Sequence, residues 1–201
     1  MADRHGLIVD YGGVLTTDVF ASFQAFCEAE GLPADTVRNR FREDPEARRL
    51  LAGLETGELA VGEFEPRFAA LLEVASERLI ERLFGGMEPD TAMLDGVRAA
   101  RRAGARTGLL SNSWGQATAY DLPLLDELFD AVVISSEVGL RKPDTAIYAL
   151  AAERIGLPPE ACVFVDDLPG NLKPARAIGM ATVLHRGEAS ETLAEVRALL
   201  R

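Results

Sequence analysis

The amino-acid sequence predicts an α/β protein in which a parallel sheet is interrupted by an inserted block of helices. From residue 86 onward, short apolar runs alternate with helical patterns, which is typical of crossover units in a parallel sheet. Residues 18–84, in contrast, show helical spacing without strand-like alternation. The chain has 201 residues, enough for one domain with a good core or for a core domain plus an insertion.

The first strand is predicted at the apolar run Leu7-Ile8-Val9, which is too short for a helix. In the block that follows, Phe20, Phe23 and Phe26 recur at helical spacing, as expected for packing positions on an amphipathic helix. Further helices are predicted over 34–43, 45–53, 61–73 and 76–84, with breaks at Pro45, Gly57 and Gly62. We therefore expect a core of residues 1–17 and 85–201 and a helical insertion of residues 18–84.

The remainder of the chain supplies the other strands and the helices that connect them. Helices are predicted at 91–103, 115–121, 124–128, 144–155, 170–178 and 189–200, and strands at 106–111, 131–134, 162–165 and 181–184. In such a sheet the carboxyl ends of the strands meet at one edge, where ligands bind.

Composition and charge exclude several classes of protein. The hydrophobic content of 48% indicates a globular chain, and the net charge of −11 argues against a nucleic acid or an anionic membrane as partner. No apolar segment approaches the roughly 18 residues of a membrane span, and no signal-peptide pattern is visible. Cys27 and Cys162 are single and far apart, which favours buried thiols in a reducing compartment. We therefore expect a cytoplasmic location.

Polar residues follow four of the predicted strands. They are Asp10 after the first, Ser111 and Asn112 at the end of the second, Arg141 and Lys142 in the loop after the third, and Asp166 and Asp167 after the fourth. Singly, each has a structural explanation as a turn residue, a helix cap or a solvated loop cation. Together at one sheet edge, they offer a carboxylate nucleophile, a hydroxyl, a cation and a carboxylate pair.

These segments resemble the four motifs of the haloacid dehalogenase superfamily. The matching runs are VDYGGV at 9–14, LSN at 110–112, KPD at 142–144 and FVDD at 164–167, in the order that the family has. The resemblance implies a three-layer Rossmann-like core with a small helical cap inserted at 18–84. The runs around 141–144 and 166–171 are most similar to the phosphatase-like branch related to the N-terminal domain of soluble epoxide hydrolases.

The resemblance also implies a mechanism and a set of roles. It predicts hydrolysis of a small phosphorylated metabolite with Mg²⁺, through an aspartyl phosphate on Asp10. The implied catalytic residues are Asp10, Ser111 and Lys142; the implied substrate-binding residues are Gly12, Gly13, Asn112, Arg141 and Asn171; and the implied metal ligands are Asp10, the carbonyl of Gly12, Asp166 and Asp167. Asp167 is expected to bind the metal directly, and Asn171 to orient the carboxylates of the last motif.

One position departs from the family pattern and leaves alternatives open. Phosphatases of this family have a second Asp two residues after the nucleophile, which protonates the leaving group, and here that position is Gly12. General acid–base catalysis contributes about 10²- to 10⁴-fold, so a slow phosphatase or a non-catalytic phosphate-binding protein is consistent with the sequence. A 2-haloacid dehalogenase also lacks that Asp, but it does not carry the Asp166-Asp167 pair. The sequence leaves open the substrate, whether the chain is a monomer or a homodimer, and whether Trp114 contacts substrate or packs under the cap.

Overall fold

The computed structural model describes residues 3–115, 120 and 122–200, and these form a parallel sheet flanked by helices. The strands are β1 (Gly6–Val9), β2 (Arg106–Ser111), β3 (Ala131–Ile134), β4 (Cys162–Asp166) and β5 (Ala181–Leu184). The helices are α1 (Val19–Ala29), α2 (Thr36–Glu43), α3 (Pro45–Thr56), α4 (Val61–Leu72), α5 (Leu79–Leu83), α6 (Thr91–Arg102), α7 (Leu122–Leu128), α8 (Ser135–Val138), α9 (Thr145–Arg154), α10 (Pro169–Ala177) and α11 (Ala189–Leu199). The prediction of an α/β fold with a parallel sheet is confirmed. In the described residues, no helix is both long and apolar enough to cross a membrane.

The order of the strands places β1 at the centre of the sheet. The strands run β3-β2-β1-β4-β5, and every pairing is parallel. The chain thus builds outward from β1 on one side with β2 and β3, then returns to its other side with β4 and β5. Such a reversal of strand order opens a crevice at the carboxyl ends of the strands that flank it.

Both faces of the sheet are covered, which explains why β1 is a continuous apolar run. Leu7 and Val9 pack in one cluster, toward Val97 of α6 and Val196 of α11, while Ile8 packs in the opposite cluster with Ile147 of α9. Side chains of a strand alternate between faces, so a strand covered on both sides needs apolar residues at every position.

Helices α1 to α5 form a block between β1 and α6 with an apolar core of its own. That core contains Phe26 and Cys27 of α1, Leu50 of α3, and Phe64 and Phe68 of α4, all buried. The block corresponds to the predicted helical insertion, whose exact boundaries at 18 and 84 stay a prediction.

Local differences from the predicted elements have local causes. Helix α3 ends at Thr56 instead of 53, because Gly57 supplies the left-handed residue that terminates it (φ 77°). Gly62, predicted as a break between helices, instead lies within the first turn of α4. Helix α8 was not predicted, since its Ser-Ser-Glu sequence is typical of loops. The helix predicted at 115–121 falls almost entirely outside the described residues.

Candidate active site

The carboxyl ends of β1, β2 and β4 bring three of the predicted polar segments together. Val9 is in register with Leu109 of β2 and with Val165 of β4, and the amide of Asp10 donates a hydrogen bond to the Val165 carbonyl at 2.9 Å. Asp10 therefore leaves the sheet between the Ser111 turn and the Asp166 turn. The crevice created by the strand order is the place where the candidate residues meet.

Lys142 connects two of the carboxylates. Its Nζ lies 2.7 Å from Asp10 Oδ1 and 2.8 Å from Asp166 Oδ2, and its side chain is only 1% exposed. The backbone of Lys142 is held in turn by Asn112, whose Oδ1 accepts from the lysine amide at 2.8 Å while its Nδ2 donates to the lysine carbonyl at 3.0 Å. Asn112, predicted to bind substrate, thus also positions the lysine loop.

The buried charges perturb one another strongly. Burial raises the pKa of Asp10 to about 8, Lys142 opposes that rise, and Asp166 and Asp167 add to it. Burial alone would lower the pKa of Lys142, but Asp10 and Asp166 outweigh it and raise the pKa above its usual value. Burial and the neighbouring Asp166 raise the pKa of Asp167 to about 6. Three carboxylates share a single ammonium group, so the site favours one more cation.

The donor set fits Mg²⁺. Carboxylate oxygens of Asp10, Asp166 and Asp167 all lie within 4.8 Å of one another, and such hard oxygen ligands are the ones that Mg²⁺ prefers. The oxygens of Asp166 already accept from the Leu168 amide at 2.8 Å, from Asn171 Nδ2 at 3.0 and 3.1 Å, and from Lys142. Asp167 instead faces the cavity, so it is the better placed of the pair for direct coordination.

The loop after β1 brings its backbone very close to Asp167. Gly13 has φ 72°, and a Cβ built at this position would lie 2.6 Å from Asp167 Oδ2. Only glycine combines this conformation with this approach. Gly13 is predicted to bind substrate, and its amide donates to Thr16 Oγ1 at 3.1 Å, which fixes the turn that carries the Gly12 carbonyl.

Ser111 is buried and has a partner that sequence reasoning missed. Its Oγ lies 2.9 Å from the hydroxyl of Tyr120, and both residues line the cavity. Burial raises the pKa of Tyr120 to about 12, so its hydroxyl keeps its proton at neutral pH. The tyrosine lies within the segment 115–121, which the sequence predicts as an ordinary helix, and nothing in its spacing indicates a site residue.

A cavity of about 750 Å³ extends from these polar groups into the helical block. Aromatic side chains form much of its wall: Tyr11, Phe20, Phe23, Phe41, Phe84, Trp114 and Tyr120. Trp114, whose role the sequence left open, lines the cavity and packs edge-on against Phe23 and Phe84. Phe20, Phe23 and Phe26 were expected to pack, and two of them, Phe20 and Phe23, also face the cavity.

Glu55, at the end of α3, was not singled out from the sequence. It is only 6% exposed, it lines the cavity, and its Oε2 lies 2.5 Å from Nε of Arg141. Helical spacing did carry a signal, because Ala47, Leu50 and Leu54 define the buried face of α3 and position 55 falls on that face. Arg141, predicted to bind a substrate anion, is engaged by this carboxylate.

The chain matches the sequence profile of the haloacid dehalogenase-like hydrolases over residues 5–179. It belongs to this family. Phosphatase MT3486 of Mycobacterium tuberculosis (strain CDC 1551 / Oshkosh) is 29% identical over 193 residues, which cover 89% of this chain and 85% of that protein. Bifunctional epoxide hydrolase 2 of Mus musculus is 28% identical over 205 residues, covering 90% of this chain. The chain spans 36% of that mouse protein and 24% of its rat counterpart.

Solved structures show the same haloacid dehalogenase-like fold. The family enzyme BT-2542 of Bacteroides thetaiotaomicron superposes with a TM-score of 0.71 at 21% identity, covering 93% of this chain and 96% of that one. A wild-type crystal of the same enzyme, described as a complex with magnesium and inorganic phosphate, gives a TM-score of 0.66 at 21% identity over the same shares of both chains. At this identity the likeness concerns the fold alone.

Proposed function

We propose that this haloacid dehalogenase-like protein is a magnesium-dependent hydrolase of a small phosphorylated metabolite, with Asp10 as the covalent nucleophile. The observation that carries the proposal is the cluster of Asp10, Asp166 and Asp167 at the carboxyl edge of the sheet, with Lys142 paired to the first two. Phosphatase relatives such as MT3486 support the choice of phosphate esters. The two buried free thiols support the cytoplasmic location proposed with it.

Asp10 is oriented for attack by groups that engage only one of its oxygens. Oδ1 accepts from the Tyr11 amide at 2.7 Å and from Lys142. In the described residues no donor occupies Oδ2, which is left to attack phosphorus. The bond formed is the acyl phosphate, and a second displacement by water releases phosphate and regenerates the carboxylate.

The Asp10 carboxylate and the substrate phosphate are both anionic, so cations are needed to reduce their repulsion. Asp10, the Gly12 carbonyl and Asp167 would hold Mg²⁺, which when bound neutralises and orients the phosphoryl group. Lys142 neutralises a phosphoryl oxygen and the nucleophile, and the Ser111 hydroxyl binds another oxygen. Preorganised charges of this kind provide most of the catalysis in phosphoryl transfer.

The cavity wall bears on the organic part of the substrate. Its aromatic lining favours a leaving group with apolar surface over a densely hydroxylated one. The volume of about 750 Å³ is far larger than a phosphate group needs, so the organic part is expected to lie against the aromatic wall of the cavity.

Turnover of phosphomonoesters with and without Mg²⁺ tests this function. We expect Asp10→Asn and EDTA each to abolish hydrolysis, while Asp95→Asn, at an exposed carboxylate paired with Arg98, leaves it unchanged. Activity that survives both the substitution and the chelator would disprove the mechanism.

A second candidate is a phosphate-binding protein without turnover, which the missing side chain at Gly12 favours. In that case inorganic phosphate would bind with Mg²⁺ in calorimetry, but no ester would be hydrolysed. Halide release from a 2-haloacid without metal would instead indicate a dehalogenase.

A further inference from the structure

A phosphatase site built on Gly12 needs another group to protonate the leaving alcohol. Among the described residues, the carboxylates that line the cavity apart from Asp10 and Asp167 are Glu55, Glu81 and Glu88. Glu81 and Glu88 are exposed, and Glu81 is paired with Arg78. Glu55 alone of the three is buried, so it is the one whose protonation the protein environment can control.

Hydrogen bonds hold the backbone of Glu55 in a fixed position near the carboxyl edge of the sheet. Its backbone carbonyl accepts from Ser135 Oγ at 2.5 Å, and Ser135 Oγ accepts from the Ser113 amide at 2.8 Å. Helix α3 ends directly on the core here, since a Cβ at Gly57 would lie 2.6 Å from the Ser136 carbonyl. The end of a cap helix is thus bonded to the turn that follows β2 and to helix α8 after β3.

The charges around Glu55 suit a group that gives up and recovers a proton. Arg141 and the amide of Asn112 face the carboxylate, and Lys142 lies within electrostatic range. Burial nevertheless raises the pKa of Glu55 above its ordinary value, against the lowering by these partners. Desolvation that raises the pKa of a carboxyl is a common feature of a general acid, whereas Arg141 favours the carboxylate form that takes a proton back.

We propose that Glu55 of the cap is the acid–base catalyst that replaces the missing side chain at position 12; this inference rests on the proposed phosphatase function. As Asp10 Oδ2 forms its bond to phosphorus, the ester P–O bond breaks and the Glu55 proton passes to the departing alkoxide, giving the alcohol. Glu55 then takes a proton from the water that attacks the acyl phosphate. The P–O bond to Asp10 breaks, and inorganic phosphate, the Asp10 carboxylate and protonated Glu55 result.

The dependence on the leaving group separates this role from cap docking. We expect Glu55→Gln to lower kcat/KM for alkyl phosphates by about 10²- to 10⁴-fold, because an alkoxide needs a proton to leave. The kcat/KM for 4-nitrophenyl phosphate, whose leaving group needs no proton, should change little, because kcat/KM reports the steps up to departure of the leaving group, before Glu55 acts as a base. Glu63→Gln, at an exposed carboxylate of helix α4 that does not line the cavity, is the matched control and should affect neither substrate.

A purely structural Glu55 would give a different pattern. A fall in kcat/KM by the same factor for both substrates, or no fall for either, would overturn the proposal.

The pH–rate profile of the unmodified protein gives a test that needs no variant to fold. With an alkyl phosphate, kcat/KM should fall at alkaline pH as Glu55 loses its proton, and this limb should be absent with 4-nitrophenyl phosphate; superimposable profiles would refute the role. If the unmodified protein hydrolyses neither ester, the proposed function itself fails.

Discussion

Replacement of Lys142 by methionine tests the electrostatic core of the site independently of any substrate. The substitution keeps the length and apolar stem of the side chain but removes the charge that lies 2.7 Å from Asp10 and 2.8 Å from Asp166. Both carboxylates are then buried without their cation. Removing one partner of a buried ion pair costs about 3–5 kcal/mol, since the remaining charge stays desolvated.

The destabilisation depends on pH in a direction that the pKa shifts determine. The pKa of Asp10 is already raised to about 8, above its ordinary value of 3.8, and loss of Lys142 removes an influence that lowers it. A carboxyl whose pKa is higher in the folded than in the unfolded protein disfavours folding increasingly as pH rises between the two values. The variant should therefore lose most stability near pH 8 and least near pH 5.

Thermal and urea unfolding in EDTA measure the effect without a divalent cation. For a chain of this length, a few kcal/mol correspond to a fall in Tm on the order of 10 °C. Lys173→Met is the matched control, because Lys173 is exposed on α10. Equal unfolding free energies for the Lys142 and Lys173 variants at pH 8, or a larger loss at pH 5 than at pH 8, would refute the argument.

Three further predictions concern neighbouring features. Gly12→Asp in the Glu55→Gln background should raise kcat/KM for alkyl phosphates by about 10²-fold in steady-state kinetics, with Val19 Cγ2, 3.0 Å from the new Cβ, giving way slightly. Gly13→Ala should weaken Mg²⁺ binding in calorimetry, because its Cβ displaces the Asp167 carboxylate. Buried His185 has a pKa below 6.5, so His185→Asn should flatten the loss of unfolding free energy as pH falls below about 6.5.

Each of these has an outcome that would contradict it. Gly12→Asn adds similar bulk without an acid, and a gain equal to that of the Asp variant would show that proton transfer is not its cause. Mg²⁺ affinity unchanged in Gly13→Ala would show that the Asp167 carboxylate is not needed there. An unaltered pH dependence of unfolding in the His185 variant would mean that another group titrates.

The parallel sheet and the polar residues at its carboxyl edge could be predicted, because they depend on hydrophobic periodicity and on sheet topology. Asp10 and Asp166 follow apolar runs of the right length, and parallel strands place such ends side by side whatever the intervening sequence. The direction in which a side chain points could not be predicted in the same way. The side chain of Asn112 hydrogen-bonds to the backbone of Lys142, because the chain after β3 folds into helix α8. The sequence did not indicate this helix.

The part of the site contributed by the helical block was harder to foresee. An aromatic residue on an apolar stripe satisfies the same spacing whether it fills a core or lines a cavity, so Phe23 and Phe41 could not be assigned to the wall. Glu55 stands at the end of a helix rich in glutamate and arginine, where most charges are solvated. This carboxylate is buried where the end of α3 meets Ser135 and Arg141.

The scarcity of lysine gives the protein an intrinsic chemical reporter. The sequence contains two lysines, Lys142 and Lys173, and the first has a side chain only 1% exposed. An acylating reagent reaches the exposed side chain of Lys173 directly, but it reaches the side chain of Lys142 only in molecules in which the carboxyl edge of the sheet has transiently opened. The ratio of the two modification rates, read by peptide mass spectrometry, therefore measures how often that edge opens, without any engineered label.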